Sequence, residues 1–336
     1  MVNIDLKLNS KLFNKDAEKF SMRQGFGEGL VVAGEFSDRV VALCADVTES
    51  VSFNVFRDRF PKRFVEIGVA EQNMAGVASG LAAMGKIPFM GTYAVFSPGR
   101  NWEQIRTTIC YNNQPVKIVG SHGGVTVGPD GGSHKALEDI SLMRVLPRMI
   151  VLSPCDAIEA GKVALAAAET NTPVYIRLSR ESLPNITTED TPFKIGKAEI
   201  FYDSLDRVYS PSSVGIVATG NMVYRTMLAA EILRNENIGV RVLNLSTIKP
   251  LDAAAILRLA KETGAIVTVE DHQVAGGMGS AVAEFLAENN PVPMEFVGVR
   301  DLFGQSGTPE QLLKYYGLSE DSIVAAAKKV LDRKAK

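Results

Sequence analysis

The sequence predicts an α/β protein of two consecutive domains, each a mostly parallel sheet with helices on both faces. Three observations carry that expectation. Short β-branched runs alternate with segments of helical period through most of the chain. The runs are apolar throughout, the pattern of strands buried on both faces of a parallel sheet. The chain has 336 residues, and a domain commonly takes about 100–200.

In the first half, strands are expected at Val40 to Val47, Phe64 to Gly68, Ile87 to Tyr93, Val116 to His122, Met149 to Pro154 and Val174 to Ser179. Helical periods lie between them at Glu71 to Met84, Asn101 to Tyr111 and Asp156 to Glu169. The rhythm breaks from Glu181 to Ser213, where Pro184, Pro192 and Pro211 and a Thr-Thr-Glu-Asp-Thr cluster leave no sustained period. A first domain is therefore expected at residues 15–185, a linker at 186–210 and a second domain at 211–336. After the break, strands are expected at Val214 to Gly220, Val240 to Ser246, Ala265 to Asp271 and Met294 to Val299. The helices between them are Asn221 to Arg234, Leu251 to Glu262 and Ser280 to Glu288. A last helix, Glu320 to Arg333, ends in a basic turn that suits a helix C-terminus.

Composition narrows the function classes. With 36 basic and 38 acidic side chains there is no bulk positive charge to hold nucleic acid or an anionic membrane surface. Cys44, Cys110 and Cys155 are odd in number, far apart and set in apolar stretches, which reads as core thiols in a reducing compartment. None of the three histidines lies near a cysteine, so no zinc spacing exists and no metal site is expected on this chain. Met1 to Phe20 lacks the apolar core of a signal peptide, and no apolar run approaches the roughly 20 residues of a membrane span. A cytoplasmic location is expected.

Ligands of open α/β sheets bind beyond the carboxyl ends of the strands. Those positions here carry Asp46-Val47-Thr48-Glu49-Ser50, then Gly68 to Met74, then Ser121-His122 running on to Ser133-His134, then Ser179-Arg180-Glu181. Glu71 leads a helix rich in alanine and glycine. Complementing the helix dipole is the plainer explanation for the acid. Small residues, however, let another backbone come close, and a carboxylate desolvated there favours a shared proton. His122 and His134 flank a glycine-rich loop able to offer backbone N–H groups to an anion, with Asp130 inside it. Gly25-Phe26-Gly27-Glu28-Gly29 lies in a helical pattern and follows no strand, so it lacks the dinucleotide-binding context. Gly276-Gly277-Met278-Gly279 reads as a tight strand-to-helix turn.

Taken in order, Asp46-Val47-Thr48, Gly68-Val69-Ala70-Glu71-Gln72-Asn73-Met74, Gly91-Thr92-Tyr93, Ser121-His122, Val127-Gly128-Pro129-Asp130-Gly131-Gly132-Ser133-His134 and Leu178-Ser179-Arg180 resemble the C-terminal half of a transketolase. The resemblance spans about residues 15–190. Beyond residue 210 it rests on Val269-Glu270-Asp271-His272 and the Gly-Gly-Met-Gly-Ser turn. It implies a thiamine diphosphate pyrimidine-binding domain followed by a transketolase C-terminal domain. It further implies transfer of a two-carbon ketol unit from a ketose phosphate to an aldose phosphate, a transfer of aldehyde or ketone residues. Xylulose 5-phosphate and ribose 5-phosphate are the family's usual sugars, in the pentose phosphate pathway.

By the same resemblance, Glu71 hydrogen-bonds the cofactor's aminopyrimidine, and Glu71 and His122 are the expected catalytic residues. Tyr93 and Phe96 pack on the pyrimidine, with Asp46 and Val47 close by. Arg23, Ser50, His122 and Arg180 hold the sugar phosphate, Asp130 contacts a donor hydroxyl and His134 lines the channel. Tyr93 stands where phenylalanine is common, and Gly99 where many members carry a third aromatic. The family's Gly-Asp-Gly motif with a later Asn, which holds the diphosphate and its Mg2+ or Ca2+, is missing: no Asn occurs between Gly132 and Thr170. A separate N-terminal subunit is thus expected to hold the diphosphate and metal, in a heterotetramer of two copies of each chain joined at the Glu71 helix. Two other readings stay open: the beta subunit of the decarboxylating component of a 2-oxo acid dehydrogenase, and a non-catalytic subunit of the same fold.

Overall fold

The computed structural model describes residues 1–14, 16–205 and 212–334. In chain order its elements begin with β1 (Lys19–Ser21), α1 (Met22–Phe36), β2 (Val40–Cys44), α2 (Asn54–Arg59), β3 (Phe64–Glu66), α3 (Glu71–Ala83) and β4 (Ile87–Tyr93). Next come α4 (Trp102–Gln104), β5 (Lys117–Ser121), α5 (Asp139–Arg144), β6 (Ile150–Leu152), α6 (Ala157–Ala168), β7 (Val174–Arg177) and β8 (Ser182–Pro184). The second half adds β9 (Glu199–Asp203), β10 (Ser213–Ala218), α7 (Met222–Asn235), β11 (Gly239–Asn244), β12 (Thr247–Lys249) and α8 (Ala253–Thr263). It ends with β13 (Ile266–Gln273), α9 (Met278–Asn289), β14 (Met294–Val299), α10 (Pro309–Tyr315) and α11 (Glu320–Lys334).

Two large sheets result. The first has the order β12-β6-β7-β5-β4-β2-β3, parallel except for β12. The second has the order β14-β13-β10-β11-β9, parallel except for β9. β1 and β8 form a small antiparallel ribbon. Along β2, Val40, Ala42 and Cys44 face the core under α1, α2 and α6, while Val41 and Leu43 face the core under α3 and α5. Both faces of the strand are covered, which is why its sequence reads as one apolar run.

The structure departs from the expected layout at the linker. Residues 199–203 of the stretch 186–210 form β9, an antiparallel edge of the second sheet, while 206–211 lie outside the described residues. The short β12 leaves the second half of the chain to pair with β6, joining the two units by hydrogen bonds. The helix expected over Asn101 to Tyr111 is α4 continued by a π-helix at Ile105–Tyr111. There the Thr107 and Thr108 hydroxyls donate back to the carbonyls of Glu103 and Gln104 at 2.9 and 2.7 Å. Ser79 of α3 donates to the Thr108 carbonyl at 2.8 Å, so hydroxyls compete with the helix ladder.

The glycines of α1 are packing devices. A methyl group on Gly25 would lie 2.1 Å from the Ala157 carbonyl oxygen, and one on Gly29 2.5 Å from that of Gly161, so α1 and α6 touch backbone to backbone. The Gly276–Gly279 stretch is the expected turn: buried Glu270 accepts from the Met278 and Gly279 amides at 2.6 and 2.8 Å, opening α9. All three cysteines are free and buried.

Two glycine substitutions separate these roles. Gly25→Ala should destabilise the chain by about 1–3 kcal/mol through forced separation of α1 and α6. Gly76→Ala on α3, where a methyl meets nothing within 4 Å, should stabilise it by about 0.5–1 kcal/mol through helix propensity. Urea denaturation of each variant measures both, and equal effects would contradict the assigned packing.

Candidate active site

In the first sheet β2 leads to β3 on one side and to β4 on the other, so the strand order reverses between β2 and β4. A crevice outside the carboxyl ends is expected at such a reversal. The loops that border it come from β2, β3, β4, β5 and β7, and they carry the residues singled out by sequence.

After β5, His122 takes a left-handed backbone with φ 58°. Such a conformation costs energy for a residue with a side chain and is retained where its surroundings over-determine it. The ring is buried, bonds Ser121 Oγ through Nδ1 at 2.6 Å and stacks on Tyr93 with ring centres 3.9 Å apart. Tyr93 stacks in turn on Phe96 at 5.7 Å, and the edge of His134 meets both rings at 6.2 and 5.5 Å. Burial, helped by Arg23, Arg180 and His134, pushes the His122 pKa down to about 3. The imidazole is therefore neutral through the physiological range.

Two guanidinium groups accompany it. Arg23, near the start of α1, donates to the Ser50 carbonyl, and Arg180, just past β7, donates to the Val127 carbonyl. Burial and then the Arg180 charge lower the Arg23 pKa, and the buried Arg23 Nε has no hydrogen-bond partner. Neither arginine has a carboxylate within ion-pair distance among the described residues. Two positive groups beside a neutral histidine, without a counter-charge, make a site for an anion.

Glu71 is the first residue of α3 and is buried, yet its side chain makes no capping bond. It accepts from Arg100 Nη1 at 2.8 Å instead. The Arg100 guanidinium lies 4.2 Å over the Phe96 ring, so Glu71 connects through Arg100 and Phe96 to Tyr93 and His122. Its backbone carbonyl accepts from Asn101 Nδ2 at 3.0 Å, fixing α3 against the loop after β4. The far side of α3 is open: Gln72, Asn73, Gly76 and Gly80 are exposed, with Val69 67% and Met84 83% exposed at its two ends.

Other expected residues are engaged differently. Asp46 has φ 58° and is tied by its backbone amide, which donates to Glu66 at 2.8 Å. The same carboxylate accepts from Thr48 Oγ1 and the Gly68 amide at 2.9 Å each, ordering the turn that carries Val47 and Ser50. Ser50 contributes its carbonyl to Arg23 rather than its hydroxyl. Asp130 stands exposed between Gly128 and Gly131, with Lys135 Nζ donating to the Gly128 carbonyl at 2.6 Å. The structure thus gathers Arg23, Tyr93, Phe96, His122, His134 and Arg180, with Glu71 joined through Arg100, and leaves Asp46 and Asp130 on bordering loops. Arg100, Glu66 and Lys135 were missed by sequence reasoning. Only Glu66, an acid closing a strand at the carboxyl edge, carried a readable signal.

Among the described residues no group of three or more His, Cys, Asp or Glu is placed to hold a metal ion. No helix of the described residues is long and apolar enough to cross a membrane.

Residues 18–185 match the family model of the transketolase pyrimidine binding domain, and residues 206–323 that of the transketolase C-terminal domain. The chain is 42% identical over 322 residues to the 6-deoxy-6-sulfo-D-fructose transketolase subunit SqwH of Clostridium sp. (strain MSTE9), covering 96% of this chain and 98% of that one. It is 41% identical over 318 residues to a putative transketolase C-terminal section of Methanocaldococcus jannaschii, covering 94% and 96%. Against the transketolase of Rattus norvegicus it is 37% identical, covering 94% of this chain and 49% of the rat protein. A solved split-gene transketolase, described as an inactive β4 tetramer, superimposes with a TM-score of 0.86 at 42% identity, covering 94% of this chain and 99% of that one. This chain belongs to the transketolase family, as a counterpart of its C-terminal half.

Proposed function

We propose that the chain is the C-terminal subunit of a two-chain, thiamine diphosphate-dependent transketolase, moving a two-carbon ketol unit between sugars that carry an anionic group. The observation that carries the reading is the pair Arg23 and Arg180, without counter-charge, around a neutral His122 beside the Tyr93–Phe96 wall. A sugar phosphate supplies the missing charge, and its donor is taken to be a ketose phosphate with an aldose phosphate as acceptor.

The residues present fit one half of the cofactor. Glu71 offers a buried carboxylate and Tyr93 and Phe96 an aromatic wall, the chemistry that receives an aminopyrimidine. When bound, thiamine diphosphate supplies a nucleophilic carbon and an electron sink for the ketol unit. Glu71 would hold a proton at the pyrimidine ring nitrogen. Tyr93 and Phe96 exclude water from that contact. His122, being neutral, donates or accepts a hydrogen bond and adds no charge, so Arg23 and Arg180 set the charge of the anion subsite. Asp130 is assigned to a donor hydroxyl, His134 to the channel wall, and Asp46 and Val47 to the cofactor's edge.

The diphosphate and its Mg2+ or Ca2+ are assigned to a separate N-terminal subunit, because relatives matched over nearly their whole length are named as a transketolase subunit and a C-terminal section. The open face of α3, with Gly76 and Gly80 bare and Val69 and Met84 exposed, is assigned to the shared interface, in an assembly of two copies of each chain. The description of the split-gene relative's β4 tetramer as inactive accords with a need for the second chain. Relatives also include a subunit named for 6-deoxy-6-sulfo-D-fructose and one named for apulose 4-phosphate, so several sugars are candidates, with xylulose 5-phosphate and ribose 5-phosphate the first pair to assay. A cytoplasmic location is assigned on the three free, buried thiols.

Calorimetry should detect thiamine diphosphate binding only when the N-terminal subunit is present, and Glu71→Gln in that mixture should lose about 10²–10⁴-fold in turnover while still assembling. Tight binding to this chain alone, or near-normal turnover of the variant, would contradict the shared site. Arg180→Ala should raise the KM of phosphorylated ketoses by about tenfold or more, the worth of a charge-assisted hydrogen bond, with little change for unphosphorylated ones. An equal effect on both would remove Arg180 from the phosphate.

The His122 shift gives a third expectation. An unfolded histidine takes up its proton near pH 6.5, whereas His122 in the fold stays neutral down to about 3. The unfolded state therefore binds more protons below pH 6.5, and this residue's contribution to stability falls as the pH drops. The proton resonance of the His122 ring should not move between pH 8 and pH 5, and a midpoint near 6.5 would refute the neutral anion-site histidine.

A further inference from the structure

The second sheet has a crevice of its own, and the first domain fills it. β10 leads to β11 on one side and stands beside β13 on the other, so the strand order reverses between β10 and β13. This is where a doubly wound sheet ordinarily receives a ligand. Asn221, after β10, and Asp271, on β13, face each other there, with Asn221 Nδ2 donating to Asp271 Oδ2 at 3.1 Å.

What enters between them is backbone from the glycine-rich loop after β5. The Val125 amide donates to Asp271 Oδ1 at 2.8 Å. The Val125 side chain is fully buried and packs in the second domain's core cluster with Leu137, Ala218 and Val299. Gly124 has φ 91°, and a methyl group on it would lie 2.0 Å from Asp271 Oδ2, so the chain can pass only as glycine. Further along the loop, Gly131 and Gly132 lie against Ser306 and Gly304 of the second domain. His122 precedes this anchored stretch and His134 follows it.

We propose that Asp271 is a positioning residue: the second domain uses its ligand crevice to seat the loop Gly123–His134, and so sets the geometry of the sugar-binding edge. The inference rests on the transketolase reading of the site and adds a hold from the second domain to those of Arg180 on the Val127 carbonyl and Lys135 on the Gly128 carbonyl. A merely adhesive role would leave substrate affinity untouched once the fold is intact. A positioning role would move it without moving cofactor affinity.

The test pairs hydrogen–deuterium exchange on the full chain with kinetics of the assembled two-chain enzyme. Asp271→Ala should speed exchange of the 123–134 amides about tenfold, the loss of one buried hydrogen bond. It should raise the KM for a ketose phosphate by a similar factor, with kcat within about twofold and thiamine diphosphate affinity unchanged. Asp271→Asn keeps an oxygen for the Val125 amide and should restore both. If Asp271→Ala does not fold, Gly124→Ala pushes the loop off Asp271 without stripping a buried charge, and should give the same signature. Unchanged exchange over 123–134, or faster exchange with an unchanged KM, overturns the proposal. Failure of the transketolase reading shows separately, as wild-type chains that assemble yet bind no thiamine diphosphate, and the exchange comparison still decides whether Asp271 seats the loop.

Discussion

The buried pair of Asp139 and Arg177 is the constraint on which the rest of the molecule hangs. Nε of Arg177 lies 2.8 Å from Asp139 Oδ2, with both side chains almost wholly out of solvent. Tyr175 donates its hydroxyl to the same oxygen at 2.7 Å, and Arg177 donates on to the carbonyls of Ala136 and Asp271. One guanidinium thereby joins the end of β7, the segment leading into α5 and the carboxyl end of β13. A pair this buried adds little net stability over an apolar substitute, because desolvating both charges offsets their attraction. Its value lies in direction: each partner left alone would be costly, so only one arrangement of the three segments is allowed.

That arrangement brings the carboxyl edges of the two sheets together. The Ser153 amide bonds the Ser246 carbonyl at 2.8 Å and the Gly220 amide bonds the Ser153 carbonyl at 3.2 Å, so loops after β6, β10 and β11 meet directly. His272 belongs to the same junction, its Nε2 accepting from the Ile140 amide at 3.2 Å. The loop after β5 also meets the second domain, its Val125 amide donating to Asp271, and carries the junction on to the edge formed by β4, β2 and β3.

Legibility in the sequence follows from how far each interaction reaches along the chain. The parallel strands could be read because burial on both faces leaves an apolar run that needs no knowledge of its neighbours. β9 and β12 could not, being short antiparallel edges whose pairing partners lie elsewhere in the chain. Among site residues, His122, Glu71 and Arg180 were visible because they stand directly after strands or at the head of a helix. Arg100 was not. Its importance arises from a contact across 29 positions with Glu71 and from the ring of Phe96 beneath it. The glycines of α1 could be excluded as a dinucleotide loop by their helical context, but their use as a backbone contact needs the carbonyls of α6, more than a hundred positions away.

Two arginine–carboxylate pairs of the same 2.8 Å length show what solvent decides. Arg177 and Asp139 are 4% and 1% exposed, whereas Arg100 is 49% exposed over a Glu71 that is only 5% exposed. A half-exposed guanidinium can return to water when it lets go, while the buried Glu71 then needs another partner in its place. Releasing Arg177 would strand a buried charge, at a cost of about 3–5 kcal/mol. The first pair can therefore serve as a fixed joint and the second as a contact that a ligand can replace. Placing the half-exposed pair at the head of the open helix α3 and the buried pair at the end of β7 leaves the contact at Glu71 exchangeable while the junction of the two sheets keeps its shape.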